Sequence, residues 1–178
     1  YEDGVTNTCY NALDIHIDKG NGKRTALIYD SPITGNKSKY SYEELRSKVS
    51  KFAGALQEQG TKKGDRVIIY MPMIPEAVIA MLACARVGAI HSVVFGGFAS
   101  NELASRIDDS KAKILVTASC GFEPGRTVEY KPLVDAAIKM ASHKIDKMIL
   151  FQRIDHTVEL NAPKEISWGE AISNAQEV

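Results

Sequence analysis

Two short stretches carry residue types from which an anion site is built. The first is SVVFGGFASNELASRI, Ser92 to Ile107, where an apolar strand-like run passes through the adjacent Gly96 and Gly97 into a helical pattern. Parallel-sheet proteins hold phosphates at such turns, because backbone N–H groups and a helix N-terminus converge there. A dinucleotide fingerprint needs Gly-x-Gly-x-x-Gly and an acidic residue about 20 positions further on. Here the glycines are adjacent, the third is missing, and no Gly-Lys-Ser/Thr follows. The pattern alone leaves two readings level: a tight connection in which glycine permits positive φ, or a ligand-binding turn.

The second stretch is ASCGFEPGRTVEY, Ala118 to Tyr130. It reads as a loop after a strand, shaped by Gly121, Pro124 and Gly125, and Arg126 adds an always-charged fork suited to phosphate oxygens. The competing reading is an exposed arginine paired with Glu123 or Glu129, and on the residues alone that reading stands slightly ahead. Other chemistry finds little support. His16, His91, His143 and His156 are scattered, with His91 inside a strand as a core or rim residue. Cys84 lies in an apolar helix as a small hydrophobe, while Cys120 in the loop is a candidate for exposure but has no base beside it. No catalytic residue and no metal ligand is assigned.

These stretches need a scaffold, and the rest of the chain supplies one. NTCYNALDIHI, Asn7 to Ile17, reads as a short amphipathic helix, TALIYD as a strand and SPITGNKS as a turn. Ser41 and Glu44 have capping-box spacing, followed by Leu45, Val49, Phe52, Ala53 and Leu56 at helical intervals, with Gly60 as the stop. KKGDRVIIYM gives a turn and a continuous apolar strand, of the kind covered on both faces of a parallel sheet. The helix from Pro75 to Gly88 is apolar nearly all round and is expected to be buried. AIHSVVF, a helix over about 100–110, KILVTA, a helix over 132–141 and KMILFQ complete the alternation. A more polar tail, with Trp168 opening a last helix, reads as a bridge. The expected fold class is α/β, a parallel sheet with helices on both faces.

The 178 residues suffice for one domain with a real core. Lys+Arg and Asp+Glu both number 22, so no overall basic field draws the chain to nucleic acid or anionic membrane. The 3 cysteines are far apart and in no metal spacing, which fits free thiols in a reducing compartment. The longest apolar run, AVIAMLACA, falls far short of the roughly 20 residues needed to span a bilayer. The N-terminus lacks signal-peptide character and an initiator Met, and the chain reads as a piece of a longer one.

From about Asn11 to Trp168 the sequence resembles the short-chain acyl-CoA synthetases of the AMP-forming adenylate ligase superfamily. YMPMIPEA, MLACARVGAIHSVVFGGF and EPGR carry the resemblance, and IYDSPITG and EPGRTVEYKPLV are closer to the propionyl-CoA than to the acetyl-CoA synthetase branch. The resemblance implies that residues 1–178 are the N-terminal part of the large domain. It also implies an enzyme that activates propionate, acetate or a similar acid with ATP and Mg to an acyl-adenylate, then passes the acyl group to coenzyme A. Glu123, Pro124, Gly125 and Arg126 would line the CoA nucleotide site, with Phe95, Gly96 and Gly97 beside it. Glu123 stands where acetyl-CoA synthetases have arginine, so its backbone rather than its side chain is expected to contribute. Many relatives open the next helix with Ser-Pro; Ala99-Ser100 here keeps a capping hydroxyl nearby.

No T-S-G-[ST]-T-G-x-P-K-G loop occurs, so the family's ATP phosphate loop, its later nucleotide contacts and its adenylation lysine would lie beyond Val178. The chain by itself is expected to be inactive. Its implied partners are the small-molecule substrates and the rest of its own chain, in the mitochondrial matrix or alternatively the cytoplasm. Two other readings are a self-standing CoA- or nucleotide-binding module and a nicotinamide-dependent oxidoreductase, the latter opposed by the missing third glycine.

Overall fold

The structure, a computed structural model, describes residues 3–178. Its centre is a sheet of five parallel strands, built from β3 (Arg66–Met71), β4 (Ile90–Phe95), β5 (Ile114–Ala118), β8 (Lys147–Phe151) and β9 (Glu165–Ser167). Two antiparallel hairpins flank it: β1 (Thr25–Asp30) with β2 (Lys37–Ser41), and β6 (Cys120–Glu123) with β7 (Arg126–Glu129).

β3, β5 and β8 are buried on both faces as their unbroken hydrophobicity requires, while the edge strand β4 leaves Ile90, Val93 and Phe95 exposed. On one face Val67, Ile69, Val116 and Ile149 pack under α1 (Tyr42–Glu58), α2 (Pro75–Val87) and α5 (Trp168–Ser173). On the other, Ile68, Tyr70, Leu115 and Met148 pack under α3 (Ser100–Ser110) and α4 (Tyr130–Met140). Helices therefore cover both faces, and the α/β class is as read from the sequence.

The capping box forms in full: Glu44 N–H donates to Ser41 Oγ at 3.2 Å, and Ser41 N–H donates to the Glu44 carboxylate at 2.7 Å. Pro75 opens α2, and Gly88 closes it at φ +76.

Four local expectations need correction. The segment SPITGNKS is a turn only in part, because Lys37 begins β2. The first helix is wound as π-helix over Tyr10–Asp14 and again over Ile17–Asn21, beyond the expected end. Ser100 does not cap α3; Ala99 is the N-cap and no side chain bonds there. The loop 118–130 is the β6–β7 hairpin, with Pro124 and Gly125 at its tip and Gly125 at φ +75. Proline fixes the first turn position and glycine accepts positive φ at the second, so a two-residue connection suffices.

The strand order β4-β3-β5-β8-β9 sets the location of any ligand. The chain moves outward from β3 to β4 at the sheet edge, then crosses back over β3 to β5 and continues the other way. Connections therefore diverge at the carboxyl ends of β3 and β5, where open α/β sheets leave a crevice.

Candidate functional site

The Gly-Gly turn and the β6–β7 hairpin both rise from this carboxyl edge. Phe98 N–H donates to the Phe95 carbonyl at 3.2 Å, closing a turn in which Gly97 has φ +105. Only glycine takes that φ without strain. The Tyr70 hydroxyl, from within β3, donates to the Phe98 carbonyl at 2.8 Å and accepts from Gly97 N–H at 3.3 Å. Gly96 has another reason to be glycine: a Cβ there would meet the Tyr130 hydroxyl and lie 2.9 Å from the Met71 carbonyl oxygen. Gly121, at the base of the hairpin, faces the same tyrosine, with a Cβ position 2.7 Å from its hydroxyl. Tyr130 thus fills the seam between turn and hairpin, its ring 5.0 Å from that of Tyr70. Burial pushes its phenol up to about 12, so at neutral pH it remains a protonated donor.

A cavity of about 480 Å³ opens at this seam, bounded by Met71, Phe95, Gly96, Glu123, Tyr130 and Arg153 and roofed by the β1–β2 connection. A second cavity of about 740 Å³ shares the Ile33, Ile74, Phe122 and Arg153 walls and continues under the same hairpin. Arg126 stands at the hairpin tip with its side chain 70% exposed, and its guanidinium meets the Glu123 carboxylate at 2.6 Å. Pairs this exposed contribute at most about 1 kcal/mol.

Residues 16–176 match the AMP-binding enzyme family. The chain belongs to that family. It is 53% identical over 177 residues to a human protein named acyl-CoA synthetase short-chain family member 3, mitochondrial, covering 99% of this chain and 26% of the relative. The rat protein of that name is 52% identical with the same coverage. An acetyl-coenzyme A synthetase of Pasteurella multocida is 45% identical over 175 residues, covering 98% of the chain and 26% of the relative. The chain therefore spans about a quarter of the length of these curated relatives. The crystal structure of a Brucella canis acyl-CoA synthetase superposes with a TM-score of 0.75 at 21% identity, over 96% of this chain and 28% of that one, which fixes the fold.

Within this family fold, Phe95, Gly96 and Gly97 lie across a seam from Glu123, Pro124, Gly125 and Arg126; a Cβ on Gly97 would lie 3.8 Å from Glu123 Oε1. Arg126 is paired with Glu123 rather than Glu129, and the Glu123 carboxylate is what lies beside the turn. Cys120 is wholly buried, contrary to the expected exposure, because the hairpin folds its side chain inward. Burial pushes the Cys84 thiol up to about 12, leaving it inert. His91 lies on the edge strand and is exposed, a rim residue. Among the described residues no His/Cys/Asp/Glu cluster is arranged to hold a metal, and no helix is long and apolar enough to cross a membrane.

Tyr70, Tyr130 and Arg153 were not legible as site residues from the sequence. Arg153 follows the apolar strand KMILF at the sheet's carboxyl edge, and that position is the one signal that points to it.

Proposed function

We propose that this chain forms one wall of the coenzyme A site in an ATP-dependent, AMP-forming short-chain acyl-CoA synthetase, as the N-terminal part of its large domain. The acid is propionate or acetate, and the working compartment is the mitochondrial matrix, in keeping with the names of its relatives. ATP and Mg are held by parts of the protein outside this chain, whose own residues include no recognisable triphosphate loop. Coenzyme A supplies the thiol that receives the activated acyl group.

The residues fit such a ligand. Phe95 and Phe98, partly exposed with ring centroids 5.6 Å apart, offer apolar surface beside the turn. The flat Gly96-Gly97 backbone lets a nucleotide approach closely, and the Arg126 fork meets phosphate oxygens once it releases Glu123. The supporting observation is that a glycine turn and an arginine-bearing hairpin come together at the sheet's topological switch point.

In the longer enzyme, Arg126→Ala should raise the Michaelis constant for CoA about tenfold, since a hydrogen bond to a charged group contributes about 1.5–3 kcal/mol and this site is partly solvated. Glu123→Gln should lower it a few-fold by freeing Arg126. Carboxylate-dependent ATP–pyrophosphate exchange measured without CoA should not change in either variant. An unchanged constant for CoA in Arg126→Ala, or exchange that collapses with it, would leave Arg126 as a surface ion-pair residue only.

A further inference from the structure

Arg153 is 8% exposed, yet among the described residues no carboxylate comes within 4.0 Å of its guanidinium and no side-chain hydrogen bond is made to it. Its backbone is fixed: Arg153 N–H donates to Ser119 Oγ at 2.9 Å, and its carbonyl accepts from His156 N–H at 3.0 Å. Its guanidinium carbon lies over the Phe122 ring, 4.8 Å from the centroid. Stacking of this kind orients the cation but leaves its five N–H donors unused.

Tyr130, 4% exposed, is the second such group. Its hydroxyl fills the space that a Cβ on Gly96 or Gly121 would need, and it has no hydrogen-bond partner among the described residues. Thr61 Oγ1 is the one fully enclosed side-chain polar atom without a partner among those residues. The free donors of Arg153 and Tyr130 are therefore reached from solvent, and the route is the cavity of about 480 Å³ that both line.

Both side chains open onto the same cavity, where Arg153 offers charged N–H donors and Tyr130 a neutral O–H, and a charge-assisted bond to an oxyanion is about twice as strong as one to a neutral acceptor. We propose that Arg153 and Tyr130 form an oxyanion site that takes a phosphoryl group of the bound ligand, inward of Arg126 and on the opposite side of the hairpin. Phosphoryl is favoured over a small carboxylate because the combined cavities are of nucleotide size, well beyond a two- or three-carbon acid. The site deepens the CoA reading and rests on it for the identity of the whole ligand, but not for the anion binding itself.

The test titrates the chain with inorganic pyrophosphate and with propionate, and the longer enzyme with CoA, at constant ionic strength. It follows the Arg153 Nε–H resonance by NMR and heat by calorimetry. Pyrophosphate should bind saturably and shift that resonance. Arg153→Gln should weaken pyrophosphate about tenfold or more, Tyr130→Phe should weaken it a few-fold, and Arg153→Lys should retain part of the affinity. CoA should follow the same order. Pyrophosphate binding to the chain that depends on Arg153, with no CoA binding to the longer enzyme, keeps the site and ends the CoA reading. CoA binding equally well to wild type and Arg153→Gln ends the site and keeps the CoA reading. Saturable binding of propionate in place of pyrophosphate overturns the phosphoryl assignment. If Arg153→Gln loses its circular dichroism, Tyr130→Phe decides, and unchanged pyrophosphate affinity in that variant overturns the proposal.

Discussion

Tyr70 and Tyr130 pack ring to ring in the same seam, yet removal of their hydroxyls should have unequal consequences for the fold. Tyr70 is wholly buried and its hydroxyl makes two bonds to the Gly-Gly turn, 2.8 Å to the Phe98 carbonyl and 3.3 Å from Gly97 N–H. Each such bond contributes about 0.5–1.5 kcal/mol net, and the longer one belongs at the low end. Gly97 and Phe98 are exposed, so water reaches both freed groups and no buried-unsatisfied penalty is added. Tyr70→Phe should therefore cost about 1–2 kcal/mol. In a chain of this size that lowers the melting temperature by about 2–8 °C. The Tyr130 hydroxyl bonds to nothing among the described residues, so Tyr130→Phe should stay within about 0.5 kcal/mol of wild type.

Paired urea unfolding followed by far-ultraviolet circular dichroism reads the difference, with equal slopes required so that midpoints compare directly. Hydrogen exchange at the Gly97 amide should rise in Tyr70→Phe alone. Equal midpoints for the two variants, or a larger loss in Tyr130→Phe, would refute the assignment of Tyr70 as the clasp of the turn. That result would also remove the reason for regarding the Tyr130 hydroxyl as free for a ligand.

Two further outcomes follow from the same geometry. Gly96→Ala should destabilise by about 1–3 kcal/mol through overpacking against Tyr130 and the Met71 carbonyl, and combining it with Tyr130→Phe in a double-mutant unfolding cycle should cost less than the sum. Asp14 accepts two bonds from the Arg86 guanidinium, at 2.8 and 2.9 Å, with both side chains largely buried, and this holds its carboxyl below the usual range. The stabilisation is then fully present above the ordinary aspartate value and lost as pH falls through the lowered one. Asp14→Asn should cost about 2–3 kcal/mol at neutral pH, and thermal melts across an acid series should converge with wild type only below that lowered value.

The scaffold was legible where burial writes a pattern. Apart from Arg66 and Lys147 at their first positions, RVIIYM, ILVTA and KMILF turn no polar residue to solvent because helices cover both sides, so their near-unbroken hydrophobicity announced parallel strands. β2, β6, β7 and β9 leave no such mark, being short, largely polar and paired at hairpins or at the sheet edge, where composition is set by solvent and turn chemistry. The site divided in a similar way. Gly96, Gly97 and Arg126 were legible as residue types suited to an anion, and family resemblance gave them a ligand. Arg153 and Tyr130 were not, because what distinguishes them is the absence of a partner. A missing counter-ion is a property of the space around a side chain and has no trace in spacing. Arg153 lies 27 residues beyond Arg126 in number but shares its hairpin through Phe122, and that relation exists only after β5 and β8 pair. Sequence therefore pointed to the rim of this cleft, where glycines and an exposed arginine are conspicuous, while its interior had to be found from what the folded chain leaves unbonded.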